Sequence, residues 1–230
     1  MSSVCHIVVA AGSGTRFGSA LPKQFCDLNG RPLLMTTIER LRYITPEARI
    51  ILVLSGECVS MWQEMCASHS FLSPEIVEGG NTRWQSVCNA LQSVPYDVDV
   101  VTVHDGARPV VTRSVVDAVI KAVENGAHGA IPAVAVTDSL RMVDDSGMSH
   151  AVDRSVMRAV QTPQAFRAQE LIKAYAVGYR PEFTDDASVM EYAGFAPLHI
   201  VDGSPANIKV THPFDLAVAA MLLDVTPASH

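Results

Sequence analysis

The sequence predicts an α/β protein: a mostly parallel twisted sheet with helices on both faces and an inserted β-hairpin arm. Short apolar segments rich in valine and isoleucine alternate with longer segments of helical periodicity through the first half of the chain. These apolar segments, such as Ile50–Leu54, are not interrupted by polar residues, which is typical of strands buried on both faces. After residue 136 the pattern changes to two β-like segments around a turn, and this change predicts the arm.

The first half contains four strand and helix pairs in succession. In order, they are strand Cys5–Ala11, helix Pro32–Tyr43, strand Arg49–Ser55, helix Cys58–His69, strand Glu75–Glu78, helix Thr82–Val94, strand Val98–Asp105 and helix Thr112–Asn125. When strands and helices alternate in this way, each helix forms a crossover connection between two strands. The strands are therefore expected to run parallel, with helices covering both faces of the sheet.

The second half begins with the predicted arm, at about residues 137–160. Ser139–Val143 and His150–Val160 flank the turn-forming residues Asp144–Gly147. An inserted arm exposes unpaired strand edges, which makes it a candidate element for homodimerisation. A hairpin folded back on its own domain is the alternative. The remaining predicted elements are helices Ala168–Tyr179, Asp186–Tyr192 and Pro213–Leu223, with strands His199–Val201 and Asn207–Thr211.

Composition limits the class of protein. The 230 residues contain no repeat or low-complexity segment, so residues 1–230 are expected to form a single domain. The net charge of −7 argues against nucleic-acid binding through bulk electrostatics. The longest apolar stretches, such as Ala130–Val136, are too short to span a membrane, and the N-terminus lacks the form of a signal peptide. We therefore expect a soluble cytoplasmic protein.

Cysteine and histidine spacing predicts neither a disulfide framework nor a metal site. The five cysteines form no close CxxC pair, and the eight histidines show no i, i+4 pair, so reduced and mostly buried thiols are expected. His104 is a conceivable ligand, but a hydrogen-bonded histidine at the end of a strand is the simpler interpretation.

Three loops follow predicted strands directly, at Gly12–Gln24, Gly79–Arg83 and Asp105–Pro109. Ligands of open α/β sheets bind beyond the carboxyl ends of the strands, so these loops are the expected site. The first loop fits neither familiar phosphate-binding motif. A dinucleotide fingerprint needs glycine where Phe17 stands, and a Walker loop needs Gly-Lys-Ser/Thr at positions 17–19.

The first loop instead combines a glycine-rich turn with two cations, Arg16 and Lys23. Backbone N–H groups and fixed positive charges are the groups that stabilise the equatorial oxygens of a phosphorus atom under attack. This arrangement indicates phosphate-transfer chemistry.

The first loop and six further landmarks, taken in order, carry a family resemblance. The first loop contributes Ala10–Arg16 with Pro22–Gln24, and the six landmarks are Gly79–Arg83 with Ser86-Val87, His104–Pro109, Val152–Arg154, Gln161–Phe166, Thr184–Ser188 and Asn207–Thr211. The chain resembles the nucleotidyltransferases that load sugar or polyol phosphates onto nucleotides. More narrowly, it resembles the 2-C-methyl-D-erythritol 4-phosphate cytidylyltransferase family of the non-mevalonate isoprenoid pathway. The resemblance implies a Rossmann-like nucleotidyltransferase fold.

The resemblance also implies a reaction between cytidine triphosphate (CTP) and methylerythritol phosphate, with pyrophosphate as the second product. Arg16 and Lys23 would stabilise the transition state, and Arg154 and Lys209 would position the acceptor. Residues implied to bind the nucleotide are Ala10, Ala11, Gly12, Gly14, Gly80, Asn81, Arg83, Ser86, Asp105 and Gly106. Residues implied to bind the acceptor are Arg108, Ser139, Arg154, Thr162 and Lys209, with Arg154 reaching the site of a neighbouring subunit.

Mg²⁺ bound to the triphosphate is the expected cofactor. Asp105 either contributes to the surroundings of that metal or only orders its loop by pairing with Arg108, and the sequence leaves both interpretations open. A histidine base is not required, because a phosphate monoester has its second pKa near ~6 and is largely dianionic at neutral pH.

Three departures from the family pattern are small. Ser139 replaces a common threonine, Gly106 a common alanine, and Asn81 occupies a position that sometimes carries aspartate.

Three other functions remain open from the residues: a cytidylyltransferase for another polyol phosphate such as ribitol 5-phosphate, a nicotinamide-dependent reductase, and a nucleotide-binding regulator without turnover.

Overall fold

A computed structural model describes residues 2–12 and 21–226. Its strands are β1 (Val4–Val9), β2 (Asp27–Leu28), β3 (Arg31–Pro32), β4 (Arg49–Leu54), β5 (Glu75–Glu78), β6 (Val100–Asp105), β7 (Gly129–Ala135), β8 (Leu140–Val143), β9 (Ser149–Val152), β10 (Arg158–Val160), β11 (Gln164–Arg167) and β12 (His199–Asp202). Its α-helices are α1 (Leu33–Ile44), α2 (Gly56–Ser68), α3 (Arg83–Leu91), α4 (Arg113–Glu124), α5 (Ala168–Tyr175), α6 (Asp186–Tyr192) and α7 (Pro213–Val225).

The central sheet is mostly parallel, as predicted. Strands β5, β4, β1 and β6 lie side by side in that order and are all parallel, and β12 pairs parallel with β7. Strand β11 lies between β6 and β7 and is antiparallel to both. The first four parallel strands have the 3-2-1-4 order of a Rossmann sheet, and this order gathers the carboxyl ends of β1, β5 and β6 at one edge.

Alternate residues of the strands face two separate helical layers. Val8 and Leu52 belong to a core shared with α1, α2 and α4. Ile7, Ile51 and Val53 belong to a second core, shared with α3, α5 and α6. Because central strands such as β4 are covered on both sides, their sequences are almost continuously apolar, and this pattern predicted them.

The arm departs from the prediction in its second half. Strands β8 and β9 form an antiparallel hairpin over residues 140–152, but the predicted segment His150–Val160 is not one strand. A short 3-10 helix, Arg154–Val156, interrupts it, and β10 then returns to the central sheet and pairs antiparallel with β7. The side chain of Asp153 accepts a hydrogen bond from the Ser155 backbone at 2.9 Å, and this local bond favours the turn over an extended chain.

Two other predicted boundaries are wrong. Asn207–Thr211 is not a strand: the backbone N–H of Asn207 donates to Ser204 and that of Ile208 donates to Ala206, so the segment turns locally despite its β-branched residues. Helix α5 ends at Tyr175 rather than at residue 179, and Gly178, with φ of +84°, turns the chain beyond it.

All five cysteines lie within residues 2–12 and 21–226, where none of them forms a disulfide; three are buried and two are half-buried. In the same part of the chain, none of the helices combines the length and the apolar character that a membrane span requires.

Candidate active site

A cavity of about 380 Å³ opens at the carboxyl edge of the sheet, where the sequence placed the site. Its lining residues come from the ends of β1 and β6, the loop before α3, and segments far away in sequence: Val9, Ala10, Ala11, Gly12, Lys23, Gln24, Gly80, Asn81, Thr82, Arg83, Ser86, Asp105, Ala107 and Lys209. A neighbouring cavity of about 300 Å³ shares Arg83, Asp105 and Lys209 with it. The two cavities therefore meet around a single carboxylate.

Asp105 ends β6 and is the centre of the charge network. Its Oδ2 lies 3.0 Å from Lys209 Nζ and 3.3 Å from Arg108 Nε, and its Oδ1 lies 3.7 Å from Arg83 Nε. Burial raises the pKa of Asp105, but Lys209, Arg83 and Arg108 lower it more, so the net pKa lies well below its ordinary value. The carboxylate is ionised at neutral pH and holds three cations in place.

Arg83 is anchored from behind by a buried carboxylate. Its Nη1 and Nη2 donate to the two oxygens of Asp186, at 3.0 and 2.6 Å, and the Tyr175 hydroxyl donates to the same group at 2.6 Å. The Asp186 side chain has no exposed surface. Burial lowers the pKa of Arg83, but the nearby Asp186 raises it above its ordinary value, so the guanidinium stays charged. The Arg83 side chain is thus bonded to the first residue of α6 as well as facing Asp105.

The loop before α3 is shaped by close backbone packing. The backbone N–H of Gly80 donates to Ser86 Oγ at 3.1 Å, and that hydroxyl donates to the Thr82 carbonyl at 3.0 Å. A Cβ on Gly79 would lie 2.4 Å from Ala11 Cβ, so only glycine allows this loop to approach the end of β1. The buried Ser86 fixes the loop, and it lines the cavity together with Gly80 and Asn81.

Gly106 lies behind the cavity wall rather than on it. Its N–H donates to the Val9 carbonyl at 2.9 Å, and its carbonyl accepts from Thr37 at 2.9 Å. A Cβ here would meet Leu34 at 2.9 Å and Ala10 at 3.1 Å. Gly106 therefore supports the turn after Asp105.

Lys23 and Gln24 bring the end of the first loop onto the same cavity. Lys23 Nζ donates to the Val210 carbonyl at 3.2 Å, and Gln24 Nε2 donates to the Ala10 carbonyl at 3.1 Å. Gln24 thus ties the end of the loop to the end of β1. The predicted site residues Gly14 and Arg16 lie outside the described residues.

The second cavity contains the predicted acceptor residues Arg108, Thr162 and Lys209. Thr162 Oγ1 accepts from the Asp105 backbone N–H at 3.0 Å and lies 3.1 Å from His104 Nδ1. The other ring nitrogen of His104 lies 3.1 Å from the Arg108 carbonyl. Burial lowers the pKa of His104 to about 4, so it is a neutral, hydrogen-bonded strand-end histidine, as the simpler interpretation predicted.

Ser139 and Arg154 do not join the other site residues within this chain. Both line a separate shallow cavity on the arm, between β8 and the end of β9. The Arg154 side chain is exposed, and its Nη1 donates to the Thr137 carbonyl.

A protein-only metal site is absent from residues 2–12 and 21–226. No group of three or more histidine, cysteine, aspartate or glutamate side chains in this part of the chain could hold an ion. Asp105 is the one carboxylate among the described lining residues of the larger cavity. The donor set therefore fits a divalent ion that takes most of its oxygen ligands from a bound phosphate chain.

Comparison with known proteins identifies the family. The family described as 2-C-methyl-D-erythritol 4-phosphate cytidylyltransferase matches residues 4–225. The chain belongs to this family. Enzymes of that name from Bacteroides thetaiotaomicron and Bacteroides fragilis are 44% and 43% identical, and each alignment covers 94% of this chain and 98% of the relative.

Solved structures agree with the fold. The 2-C-methyl-D-erythritol 4-phosphate cytidylyltransferase of Francisella tularensis is 29% identical, with a TM-score of 0.78 over 96% of this chain and 100% of that one. The enzyme of the same name from Thermus thermophilus is also 29% identical, with a TM-score of 0.74 over 97% and 100%. Family membership makes the chain a nucleotidyltransferase, with the Rossmann-like fold expected from the resemblance.

Sequence reasoning gave no role to several residues that shape the site. Asp186, Gln161 and Asn207 lie within the landmarks, yet each bonds to a residue more than 40 positions away. Gln24 also lies in one of these sequence segments, and the sequence assigned no function to it. Their position inside the landmarks is the signal that could have identified them. A polar residue in an otherwise apolar segment usually has a hydrogen-bond partner.

Proposed function

We propose that the two joined cavities carry out the reaction of the family: transfer of the cytidylyl group of CTP to 2-C-methyl-D-erythritol 4-phosphate. The observation that carries the proposal is the convergence of Arg83, Arg108 and Lys209 around Asp105, with Lys23 on the wall of the larger cavity. A chain with a net charge of −7 concentrates positive charge here, where two polyanions must approach each other.

The larger cavity is the nucleotide side of the proposal. Gly80, Asn81 and Ser86, with the backbone of Ala10–Gly12, recognise cytosine, and Lys23 together with Arg16 stabilises the α-phosphate during transfer. Pre-positioned cations in a partly dry site stabilise transition-state charge without a proton transfer. Lys23 is suited to this role because the Val210 carbonyl holds its ammonium group at the cavity wall.

The smaller cavity is the acceptor side. An oxygen of the acceptor phosphate attacks the α-phosphorus of CTP in line, the bond from that phosphorus to the bridging oxygen of the β-phosphate breaks, and pyrophosphate leaves. Arg108, Thr162 and Lys209 hold the attacking phosphate. Since this phosphate is largely dianionic at neutral pH, no base is needed. The enclosed, neutral His104 is accordingly a structural residue.

Mg²⁺ or another divalent cation belongs to the proposal as a partner of the triphosphate. The Asp105 carboxylate is the protein oxygen that would help to hold it. When bound, such an ion neutralises phosphate charge.

The arm is the proposed homodimer element. It exposes Met142, Val143, Met148 and Val156, the last two at 70% and 74% of their surface, which is unusual for residues of this type on one short segment. Arg154 and Ser139 lie on the same arm, away from the cavities of their own chain. Both features are accounted for if the arm packs on a second copy and brings Arg154 and Ser139 to the acceptor side of its site.

Pyrophosphate release tests the reaction. The assay contains CTP and Mg²⁺ with methylerythritol phosphate, with ribitol 5-phosphate, or with no acceptor. Release that requires methylerythritol phosphate supports the proposal, whereas a clear preference for ribitol 5-phosphate would replace the acceptor. No release with either acceptor from folded protein would refute it.

A further inference from the structure

We propose that Asn207 is a positioning residue for the acceptor side of the reaction, because it joins the segments that carry Thr162, Arg108 and Lys209. This inference rests on the function proposed above. Asn207 is fully buried, lines neither cavity and lies two residues before Lys209. Any effect on the reaction must therefore pass through its neighbours.

The side chain of Asn207 holds two segments together. Its Nδ2 donates to the Thr162 carbonyl at 2.8 Å and lies 3.5 Å from Gln161 Oε1. Gln161 closes the same junction: its Nε2 donates to the Ser204 carbonyl at 2.8 Å, and its Oε1 accepts from the Ser204 N–H at 3.1 Å. Residues 161–162 are thus bonded to the turn at 204–207.

The backbone of Asn207 extends this junction to the charged groups. Its carbonyl accepts a hydrogen bond from Arg108 Nη1 at 2.8 Å, while Arg108 Nε faces Asp105 at 3.3 Å. On the other side of the junction, Thr162 Oγ1 accepts from the Asp105 N–H at 3.0 Å. One residue therefore constrains the positions of Asp105, Arg108 and Lys209 relative to each other.

Two features indicate that the amide serves placement more than stability. Among residues 2–12 and 21–226, no strand pairs with the segment 207–211, so individual hydrogen bonds position Lys209. Within the same residues, the Oδ1 atom of Asn207 is buried and has no hydrogen-bond partner, which opposes folding. The donor half of the amide is the half that the site uses.

Asn207→Asp is the direct test, because it keeps the shape but replaces the donating amide with a carboxylate that faces the Thr162 carbonyl. Asn207→Ser is the second variant, since it is smaller and neutral. A misplacement of about 1 Å at a reacting group can cost about 100-fold in rate. We expect the KM for methylerythritol phosphate to rise about tenfold or more and kcat to fall, while the Kd for CTP changes less than about threefold.

Asn89→Asp is the matched control. Asn89 Nδ2 donates to the Glu78 carbonyl at 2.9 Å, so the same substitution removes the same kind of bond outside the cavities. Its kinetics should equal those of the parent protein. For each variant, calorimetry with CTP alone measures the Kd for CTP, and thermal unfolding measures the melting temperature.

Two results would overturn the inference. One is an acceptor KM and kcat within twofold of the parent in folded Asn207 variants, with only the melting temperature lowered. The other is an equal loss of affinity for CTP and acceptor, which would indicate general damage. A parent protein that is inactive with CTP and methylerythritol phosphate would instead refute the proposed function, so the two failures are distinguishable.

Discussion

Replacing Asp186 with asparagine removes the buried charge that holds Arg83 at the site. The carboxylate accepts two hydrogen bonds from Arg83 and one from Tyr175, and none of its side chain is exposed. Asparagine has nearly the same volume but keeps one acceptor oxygen and directs an NH₂ group at existing donors. The change therefore tests the charge and the hydrogen bonds without opening a cavity.

The size of the expected stability loss depends on the contacts that Arg83 keeps after the substitution. Breaking a buried ion pair by removing one partner costs about 3–5 kcal/mol. Arg83 retains Asp105 at 3.7 Å, and 28% of its side chain reaches solvent, so the lower end of that range applies. At about 3 kcal/mol, and about 2–4 °C per kcal/mol for a chain of this size, the melting temperature should fall by about 6–12 °C.

The same variant should lose activity, because Arg83 lines both cavities. Without Asp186 the guanidinium moves toward Asp105 and competes there with Lys209. We expect kcat/KM to fall by about tenfold or more at a temperature where the variant is fully folded.

Tyr175→Phe provides a graded comparison. It removes one hydrogen bond to the Asp186 carboxylate, so the loss should be about 1.5 kcal/mol, or about 3–6 °C. Tyr192→Phe is its control, because the Tyr192 hydroxyl accepts from Arg180 at 2.9 Å on the exposed surface. That control should change the melting temperature by less than about 1 °C.

Thermal unfolding with steady-state kinetics measures both effects. A melting temperature for Asp186→Asn within 2 °C of the parent, with unchanged kcat/KM, would refute the assignment of Asp186 as the anchor of Arg83. A larger loss for Tyr192→Phe than for Tyr175→Phe would also contradict it.

Three further predictions concern the first loop, the arm and pH. Lys23→Ala should lower turnover by an amount equal to about 2–4 kcal/mol of barrier, far more than it weakens CTP binding by calorimetry; unchanged turnover would disprove its role. Deleting residues 139–156 should give a folded monomer with little activity, measured by light scattering and pyrophosphate release, and a fully active monomer would exclude the composite site. Burial lowers the pKa of His6 to about 3, and that of His104 to about 4, below an unfolded value of 6.5. Each histidine therefore reduces the free energy of unfolding by about 1.4 kcal/mol per pH unit as pH falls from 6.5 to its folded pKa. In urea titrations, His6→Gln should reduce that slope by about half, and an unchanged slope would contradict this.

Most of the fold and part of the site could be predicted from sequence. Strands such as β4 could be predicted because a continuous apolar segment indicates burial on both faces. Helices such as α4 could be predicted because helical periodicity indicates burial on one face. The antiparallel β11 was not assigned, since a four-residue segment carries little periodicity and its pairing with β6 depends on distant residues. The strand expected at Asn207–Thr211 failed for the same reason, because β propensity is overridden where no neighbouring strand is available.

For the site, sequence predicted which residue types occur in which loops, and the structure brings Lys23, Asp105, Arg108, Thr162 and Lys209 to two joined cavities. It did not predict that Gly106 is absent from the cavity lining or that Asp186 anchors Arg83. These outcomes depend on side-chain direction and on chain packing, which spacing along the sequence does not specify.

The sequence by itself determined the alternation of strands and helices, the glycines that allow close loops, and the cations suited to phosphate chemistry, because each of these is a local property of the chain. Only the tertiary structure decided that Asp105 is shared by three cations, that Asp186 anchors Arg83 across 103 positions, and that Asn207 bonds to Thr162. The physical reason is that electrostatic and hydrogen-bond energies fall steeply with distance in space, and distance in space is set by the packing of the whole sheet.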